Sequence, residues 1–204
     1  MARKPQIWLP EVTYHCYSRC IELKNLLAET WVKDMAIEVL NITLEKYHFQ
    51  LIQVEFVDNH FHFTIRTLEG GENISRIMQY IKARIAENYN KRMNRTGPFW
   101  NERFKCKIIE HAKNPVTYFI NLTLYMGYNS VSKGLIDNPE DSRHNTFRTM
   151  VEEDYIPPVK ITCHPFFLSL GKTHQERIKK FKRYEKSYRK RIFKLYKPRL
   201  NSML

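Results

Sequence analysis

Glycine and cysteine are scarce in this sequence, and their scarcity excludes several kinds of protein. The 204 residues contain 6 glycines and 4 cysteines. There are no glycine- or serine-rich linkers and no internal repeats, which argues against a repeat protein or a chain of tethered modules. The cysteines show no paired CxxC spacing, so we expect neither a zinc knuckle nor a disulfide framework. We predict reduced thiols in a cytoplasmic protein.

Long apolar segments are also missing. No run approaches the roughly 18 residues of a membrane span, and the N-terminal segment lacks the pattern of a signal peptide. Apolar residues nevertheless make up 43% of the chain and aromatic residues 13%, which argues against a disordered protein. We expect one folded domain over residues 1–150, followed by a basic, mostly helical extension over residues 151–204.

Positive charge is abundant but unevenly placed. The formal net charge is +13, and residues 172–199 hold 13 basic and 2 acidic side chains, so this segment carries +11 and the rest only +2. A basic balance is typical of proteins that bind nucleic acid. The segment also has the pattern of an amphipathic helix, which leaves three interpretations. It could dock on the domain, grip a DNA stem or adhere to an anionic membrane.

The order of secondary-structure elements follows from hydrophobic periodicity and turn residues. Period-two segments indicate strands, and apolar residues three or four apart indicate helices. The predicted strands are 12–19, 49–56, 60–67 and 103–109, and the predicted helices are 30–46, 73–94 and 114–129. The order βαββαβα predicts an α+β fold, a ferredoxin-like or RRM-like antiparallel sheet with helices packed on one face.

Two of the strands predict which face of the sheet is polar. Side chains alternate along a strand, so the third strand places His60 and His62 opposite Phe61 and Phe63. The fourth strand has a basic face, made by Arg103, Lys105 and Lys107. We expect the apolar faces to lie under helices, and we expect chemistry on the face with the histidines and cations.

Two residue pairs have the spacing of a metal-dependent site. His60 and His62 are two apart on one strand, so both imidazoles can grip one divalent ion, although two polar residues on a solvated face would look the same. Tyr125 and Asn129 are four apart and share one face of the third predicted helix. Asn129 offers a carbonyl oxygen to a hard cation, and Tyr125 offers a phenol nucleophile. The alternative for Tyr125 is ordinary packing.

These residues resemble a known family. His60-Phe61-His62 resembles the HUH motif (histidine, hydrophobic, histidine) of single-tyrosine nucleases. The whole layout resembles the transposases of bacterial insertion sequences, in particular the REP-associated tyrosine transposases. The supporting segments run from residue 14 to about residue 188. They are Tyr14-His15-Cys16 with Arg19, DNHFHFTIRT at 58–67, RTGPFWNERFK at 95–105, YNSVSKGLI at 128–136 and HPFFLSLG at 164–171 before the basic stretch.

The resemblance implies a mechanism. In this family, two histidines and a polar residue four positions after the tyrosine hold a divalent ion, usually Mg²⁺ or Mn²⁺. By motif, the ligands would be His60, His62 and Asn129, and Tyr125 would be the nucleophile. The implied activity is nicking and strand transfer of single-stranded DNA that contains a REP-like hairpin, through a 5′-phosphotyrosine link. We expect a monomer or a helix-swapped homodimer that associates with the nucleoid and not with a membrane.

The sequence departs from the family pattern next to the proposed nucleophile. Many relatives have Asn-Pro where this chain has Asn129-Ser130, and Gly127 lies between Tyr125 and Asn129. Glycine costs a helix about 1 kcal/mol relative to alanine. We therefore expect a loosened helix at this point.

Single-stranded DNA needs cations for its phosphates and flat surfaces for its bases. The cations of the fourth strand and its preceding turn are candidates, and the basic extension would add contacts that position the DNA without reading its sequence. Trp100 could stack on a base or could fill the core. The candidate DNA-binding residues are Arg103, Lys105, Lys107, Arg95, Trp100, Arg3, Lys4, Lys182, Arg183 and Arg189.

Two other functions are compatible with the fold class. A non-catalytic RRM-like nucleic-acid-binding protein would place aromatic residues on the open sheet face, where this sequence has His60 and His62. A replication or conjugation relaxase would also carry an HUH motif, but such enzymes commonly include helicase or primase parts for which 204 residues leave little room.

Overall fold

The computed structural model describes residues 8–200, and the side chains within it up to residue 192. The predicted strands and helices are all present, and one helix and one strand begin and end where the sequence predicts. The strands are β1 (Thr13–Arg19), β2 (Phe49–Val57), β3 (His60–Thr67) and β4 (Lys105–Ile108). The helices are α1 (Thr30–Lys46), α2 (Ile74–Arg92), α3 (Pro115–Ser132), α4 (Pro165–Leu168) and α5 (His174–Leu200).

Asparagine side chains set the beginnings of two helices. The Asn73 side chain accepts a hydrogen bond from the backbone N–H of Arg76 at 3.0 Å and caps α2. Asn114 accepts from the backbone N–H of Thr117 at 3.0 Å and caps α3, whose first residue is a proline. An N-cap residue has extended backbone angles, so each helix begins one residue later than the periodicity predicts.

The four strands form one antiparallel sheet in the order β2-β3-β1-β4, which confirms the α+β, ferredoxin-like fold class. In this order β3 and β1 are the two central strands. His62 lies directly across from Tyr17 of β1 on one side and from Glu55 of β2 on the other. Because residues paired across strands share a face of the sheet, the side chains of Tyr17 and Glu55 lie on the same face as His60 and His62.

Helices α1 and α2 cover the apolar face of the sheet. Phe61 and Phe63 are fully buried beneath them, as are Ile77, Ile81 and Ile85 from α2. Each such side chain contributes about 1.5–3 kcal/mol through removal of its surface from water. This layer therefore holds β3 in place from the face opposite the histidines.

Helix α3 lies on the other face of the sheet, so the prediction that all helices pack on one face differs from the structure. The side chain of Gln53 on β2 hydrogen-bonds to Thr123 of α3, and Met126 of α3 lies against Thr64 of β3. The helix also carries fully buried apolar side chains such as Phe119 and Leu124. The polar side of α3 therefore lies on the polar face of the sheet. Its apolar side must be covered by a second apolar layer.

The basic extension supplies that second layer. Phe181 of α5 is fully buried in a cluster with residues of α3, and Ile192 is also buried. The Tyr128 hydroxyl of α3 donates to the Glu185 carboxylate of α5 at 2.5 Å. Tyr184 of the same helix is exposed. Of the three interpretations of this segment, docking on the domain describes its position, and none of the described helices is long and apolar enough to cross a membrane.

Candidate active site

His60 and His62 lie at the beginning of β3, on the face that α3 partly covers. His62 is 6% exposed, and His60 is partly buried. Their ring centroids are 5.1 Å apart. Both rings line a pocket of about 240 Å³ that opens between the sheet and α3. Strand alternation places the two imidazoles on this face, as the sequence predicts.

Helix α3 brings Tyr125 and Asn129 to the histidines. The ring centroid of Tyr125 is 5.4 Å from that of His62, and the Tyr125 side chain is 43% exposed at the pocket. The Asn129 side-chain nitrogen lies 3.3 Å from Nε2 of His60, and Asn129 itself is buried. All four residues that the sequence selects for chemistry therefore meet in one place.

Each histidine makes a hydrogen bond through its Nδ1. His60 Nδ1 is 2.6 Å from the Asn59 side-chain oxygen, which can only accept, so this nitrogen carries the proton and Nε2 holds a lone pair toward Asn129. His62 Nδ1 is 3.0 Å from Nε2 of His15 on β1. Nε2 of His62 is buried, and among the described residues it has no hydrogen-bond partner.

Burial keeps both imidazoles neutral. Desolvation is the main cause that lowers the pKa of His60 to about 4, and the nearby charges of Lys133 and Arg19 lower it further. Desolvation likewise holds the pKa of His62 well below its usual range. A neutral imidazole is the form that ligates a metal, so both histidines are in the required state at neutral pH.

The donor set suits a divalent ion. Within the described part of the chain, no group of three or more His, Cys, Asp or Glu side chains is close enough to hold a metal. The set here is two imidazoles and an amide, and a half-turn of the Asn129 amide would present its oxygen in place of its nitrogen. Such a set leaves several positions for water or phosphate oxygens, as Mg²⁺ and Mn²⁺ require. The unpartnered Nε2 of His62 fits this role.

Strand β1 contributes site residues that the sequence reasoning did not select. His15, Tyr17 and Arg19 line the pocket with the two histidines, and Tyr118 lines it from α3. The three β1 residues alternate along the strand, and β1 pairs with β3. Period-two alternation, combined with the strand order of the predicted fold, was the signal that could have found them.

The predicted DNA-binding residues of β4 and the turn before it differ in their surroundings. Lys107 is exposed and lines the pocket of the histidines. Lys105 is exposed one pleat away and forms an ion pair of 2.7 Å with Glu102. Arg103 precedes β4 and lines a separate cavity beside α2. One of the three cations is thus adjacent to the candidate site, and the other two extend the basic edge away from it.

Arg95 and Trp100 have structural partners. The Arg95 guanidinium donates to the side chain of Asn90 at 2.9 Å and to the carbonyl of Pro98 at 2.8 Å. The Trp100 indole N–H donates to the Lys82 carbonyl at 2.8 Å. Both side chains stabilise the loop between α2 and β4. Their contact with DNA stays a prediction.

The remaining predicted DNA contacts lie at the two ends of the chain. Lys182, Arg183 and Arg189 are exposed on α5. Lys182 and Arg189 line a groove beside Glu140. Arg3 and Lys4 lie outside the described residues. The contact of these α5 cations with DNA stays a prediction.

Gly127 is required by a close contact, and not by a need for a loose helix. A Cβ atom at this position would overlap Cδ2 of Phe147, whose ring is buried against α3. The absence of a side chain lets the ring pack directly on the helix backbone between Tyr125 and Asn129. The structure therefore gives Gly127 a packing role that the sequence pattern does not indicate.

We expect Gly127→Ala to destabilise the protein by up to about 2 kcal/mol, because an overpacking cost of about 1–3 kcal/mol exceeds the gain of about 1 kcal/mol in helix propensity. Urea unfolding measures this loss, and the dependence of the unfolding free energy on urea concentration should be the same in both proteins. In a Phe147→Ala background the same substitution should become neutral or stabilising, because the ring that it meets is gone. Equal losses in the two backgrounds would contradict the packing role.

Comparisons with known proteins identify a family of transposases and a solved structure with a similar fold. A sequence profile described as transposase, IS200 like, matches residues 9–121. A solved structure described as the REP-associated tyrosine transposase bound to a REP hairpin superposes with a TM-score of 0.60 at 17% identity, over 81% of this chain and 96% of that chain. At this identity the likeness shows the fold alone. No protein of curated function matches the chain.

Two further structures are more distant. A candidate transposase from Deinococcus radiodurans R1 has a TM-score of 0.37 at 13% identity, over 59% of this chain and 97% of that chain. A bacterial tRNA(His) guanylyltransferase-like protein in complex with ATP has a TM-score of 0.38 at 12% identity, over 74% of each chain. Both similarities are too weak to bear on the site.

Proposed function

The chain belongs to the family of IS200-like transposases, and from this premise we propose that it nicks and rejoins single-stranded DNA through a covalent 5′-phosphotyrosine link. The observation that carries the proposal is that Tyr125, His60 and His62 line one pocket and that the Asn129 side chain contacts His60. A nucleophile beside a set of metal ligands is an arrangement that can cleave a phosphodiester bond.

The residues that would hold the ion are His60, His62 and Asn129. Mg²⁺ or Mn²⁺, when bound there, would polarise the scissile phosphate and balance charge in its transition state. The chain's own part is to keep both imidazoles neutral and oriented. Their Nδ1 atoms are engaged by Asn59 and His15, so their Nε2 atoms remain for the ion.

Tyr125 would supply the attacking oxygen. Its phenol oxygen forms a bond to phosphorus, the bond from phosphorus to the 3′ oxygen of the preceding nucleotide breaks, and the phenol proton leaves as the 3′ hydroxyl gains one. The phosphate ester to tyrosine conserves the energy of the broken phosphodiester bond. A 3′ hydroxyl from another strand can therefore reverse the step without ATP. Arg19 and Lys107 line the pocket and supply positive charge for the phosphate.

Single-stranded DNA with a hairpin is the substrate class that we infer. The structural relative is described as bound to a REP hairpin. In this chain, exposed cations lie both at the pocket and on α5, where Lys182, Arg183 and Arg189 face solvent. An A-form or B-form stem on α5 would leave the adjoining single strand free to reach Lys107 and Tyr125.

Two features bear on the alternatives. Helix α3 covers part of the sheet face that an RRM-like module would leave open to bases, which argues against a purely binding function. Tyr125 meets His62 within one chain, so one subunit holds both the proposed nucleophile and a proposed metal ligand.

The test is a labelled-oligonucleotide assay on the purified protein, with hairpins taken from the flanks of its own gene. With Mg²⁺ or Mn²⁺, an oligonucleotide labelled at its 3′ end should shift to the protein band on a denaturing gel. The same DNA labelled at its 5′ end should give a shorter product that a polymerase can extend. EDTA should remove both products.

Two outcomes would contradict the proposal. Cleavage with no protein-linked product would indicate a water nucleophile, and the assignment of a tyrosine intermediate would fall. No cleavage of any hairpin, together with tight hairpin binding, would instead favour the non-catalytic nucleic-acid-binding module.

A further inference from the structure

His15 lies next to the proposed metal ligands and contacts His62 directly. It lies on β1 and pairs with Thr64, two residues along the strand from the pair formed by Tyr17 and His62. Its ring stacks on that of His62 at 5.2 Å between centroids, with 25° between the planes. Both rings are more than nine-tenths buried. Removing two imidazoles from water costs free energy, so a functional role would explain why both histidines are buried here.

The two rings share one hydrogen bond, in which a single proton lies between two nitrogens. Nε2 of His15 and Nδ1 of His62 are 3.0 Å apart, so one of the two nitrogens donates and the other accepts. If His15 donated, Nε2 of His62 would carry a proton, and that buried N–H has no acceptor among the described residues. If His62 donates, its Nε2 keeps a lone pair instead. Only the second arrangement lets His62 bind a cation.

We propose that His15 is a positioning residue that accepts a hydrogen bond from Nδ1 of His62 and so fixes the orientation and tautomer in which His62 binds a divalent ion. The inference rests on the proposed function. It completes a parallel scheme, because Asn59 accepts from Nδ1 of His60 in the same way. Each ligand then has its Nδ1 held by the protein and a lone pair on its Nε2 directed to the proposed ion site, which is the usual arrangement of histidine ligands.

The test measures metal binding without DNA or turnover. Mn²⁺ is titrated into the full chain, and the free ion is followed by its EPR signal. We expect His15→Phe, which keeps the ring and removes the acceptor, to weaken Mn²⁺ affinity by about 10–100-fold. His15→Gln places an amide oxygen near the position of Nε2 and should regain most of that loss. His15→Phe with wild-type affinity, or His15→Gln as weak as His15→Phe, would overturn the inference.

A matched control separates this effect from the loss of any buried histidine. His164 is also buried, and its Nε2 lies 2.8 Å from the hydroxyl of Thr13, away from the proposed ligands. His164→Phe should leave Mn²⁺ affinity unchanged in the folded protein. If it weakens the affinity as much as His15→Phe does, the effect is general destabilisation, and the positioning role of His15 is wrong.

A measurement on the unsubstituted protein covers the case in which His15→Phe does not fold. Long-range ¹H–¹⁵N spectra of histidine-labelled protein report which ring nitrogen is protonated. We expect a proton on Nδ1 of His62 and none on Nε2 of His15, and the reverse pattern would overturn the inference. Wild-type protein that binds no Mn²⁺ would overturn the metal part of the proposed function as well, whereas wild-type-like binding by His15→Phe overturns the role of His15 alone.

Discussion

Tyr125→Phe should abolish the covalent protein–DNA adduct while leaving hairpin binding intact. Phenylalanine keeps the ring that lies edge-on against His62 at 5.4 Å between centroids, so packing around the histidines should persist. It removes the one oxygen that would bond to phosphorus. Loss of a nucleophile lowers the rate by about 10⁴-fold or more, which a denaturing gel with 3′-labelled DNA reports as loss of the shifted band.

The pocket supplies its own controls for this substitution. Tyr17 of β1 and Tyr118 of α3 line the same pocket, and Tyr118 lies seven residues before Tyr125 on the same helix face. Tyr17→Phe and Tyr118→Phe each remove one phenol oxygen from the pocket and should still form the adduct. An adduct that persists in Tyr125→Phe and disappears in one of these variants would reassign the nucleophile. The hairpin affinity of all three variants, measured in EDTA, should match that of the wild type.

The side-chain placements that the sequence predicts are those set by local periodicity. The alternation of His60 and His62 requires only that the segment be a strand, and the facing of Tyr125 and Asn129 requires only a helix of 3.6 residues per turn. That these two pairs meet also follows from the resemblance to a family. The roles that the resemblance implies for them stay predictions.

The residues that sequence reasoning missed depend on pairing between distant segments. His15 becomes part of the site because β1 pairs with β3, and Gly127 becomes important because Phe147 packs on it twenty residues later. The second layer escaped prediction for the same reason. Helix α3 has apolar residues on several sides, and only the presence of α5 determines which side faces the sheet. Periodicity within a short segment carries no information about contacts between distant segments.

Glu55 is a further residue that its sequence position does not mark. It lies on β2 directly across from His62 and is fully buried. One carboxyl oxygen accepts a hydrogen bond from the Ser130 hydroxyl at 2.8 Å. This contact ties the end of α3 to the sheet, next to Asn129. Burial is the main cause that raises the pKa of Glu55 to about 8, against opposing hydrogen bonds and lysine charges.

Glu55→Gln should remove a fall in stability that the wild-type protein shows as pH rises. Between about pH 4.5 and 8 the unfolded chain would lose the Glu55 proton while the folded protein keeps it, so the folded state binds more protons. The free energy of unfolding should therefore fall by about 1.4 kcal/mol per pH unit from this group, and level off above pH 8. Glutamine is uncharged, keeps an oxygen for the Ser130 hydroxyl and cannot contribute this slope.

Urea unfolding from pH 5 to pH 8, in EDTA, measures the difference between the two proteins. The variant should gain up to about 4 kcal/mol over the wild type across this range, with nearly equal stability at the acidic end. Glu45→Gln, at an exposed position on α1, serves as the surface control for the same chemical change. Parallel curves for wild type and Glu55→Gln would mean that the buried carboxyl group is already ionised in the folded protein. The positive charge of Lys133, which acts on Glu55 from the end of α3, would then be what compensates it.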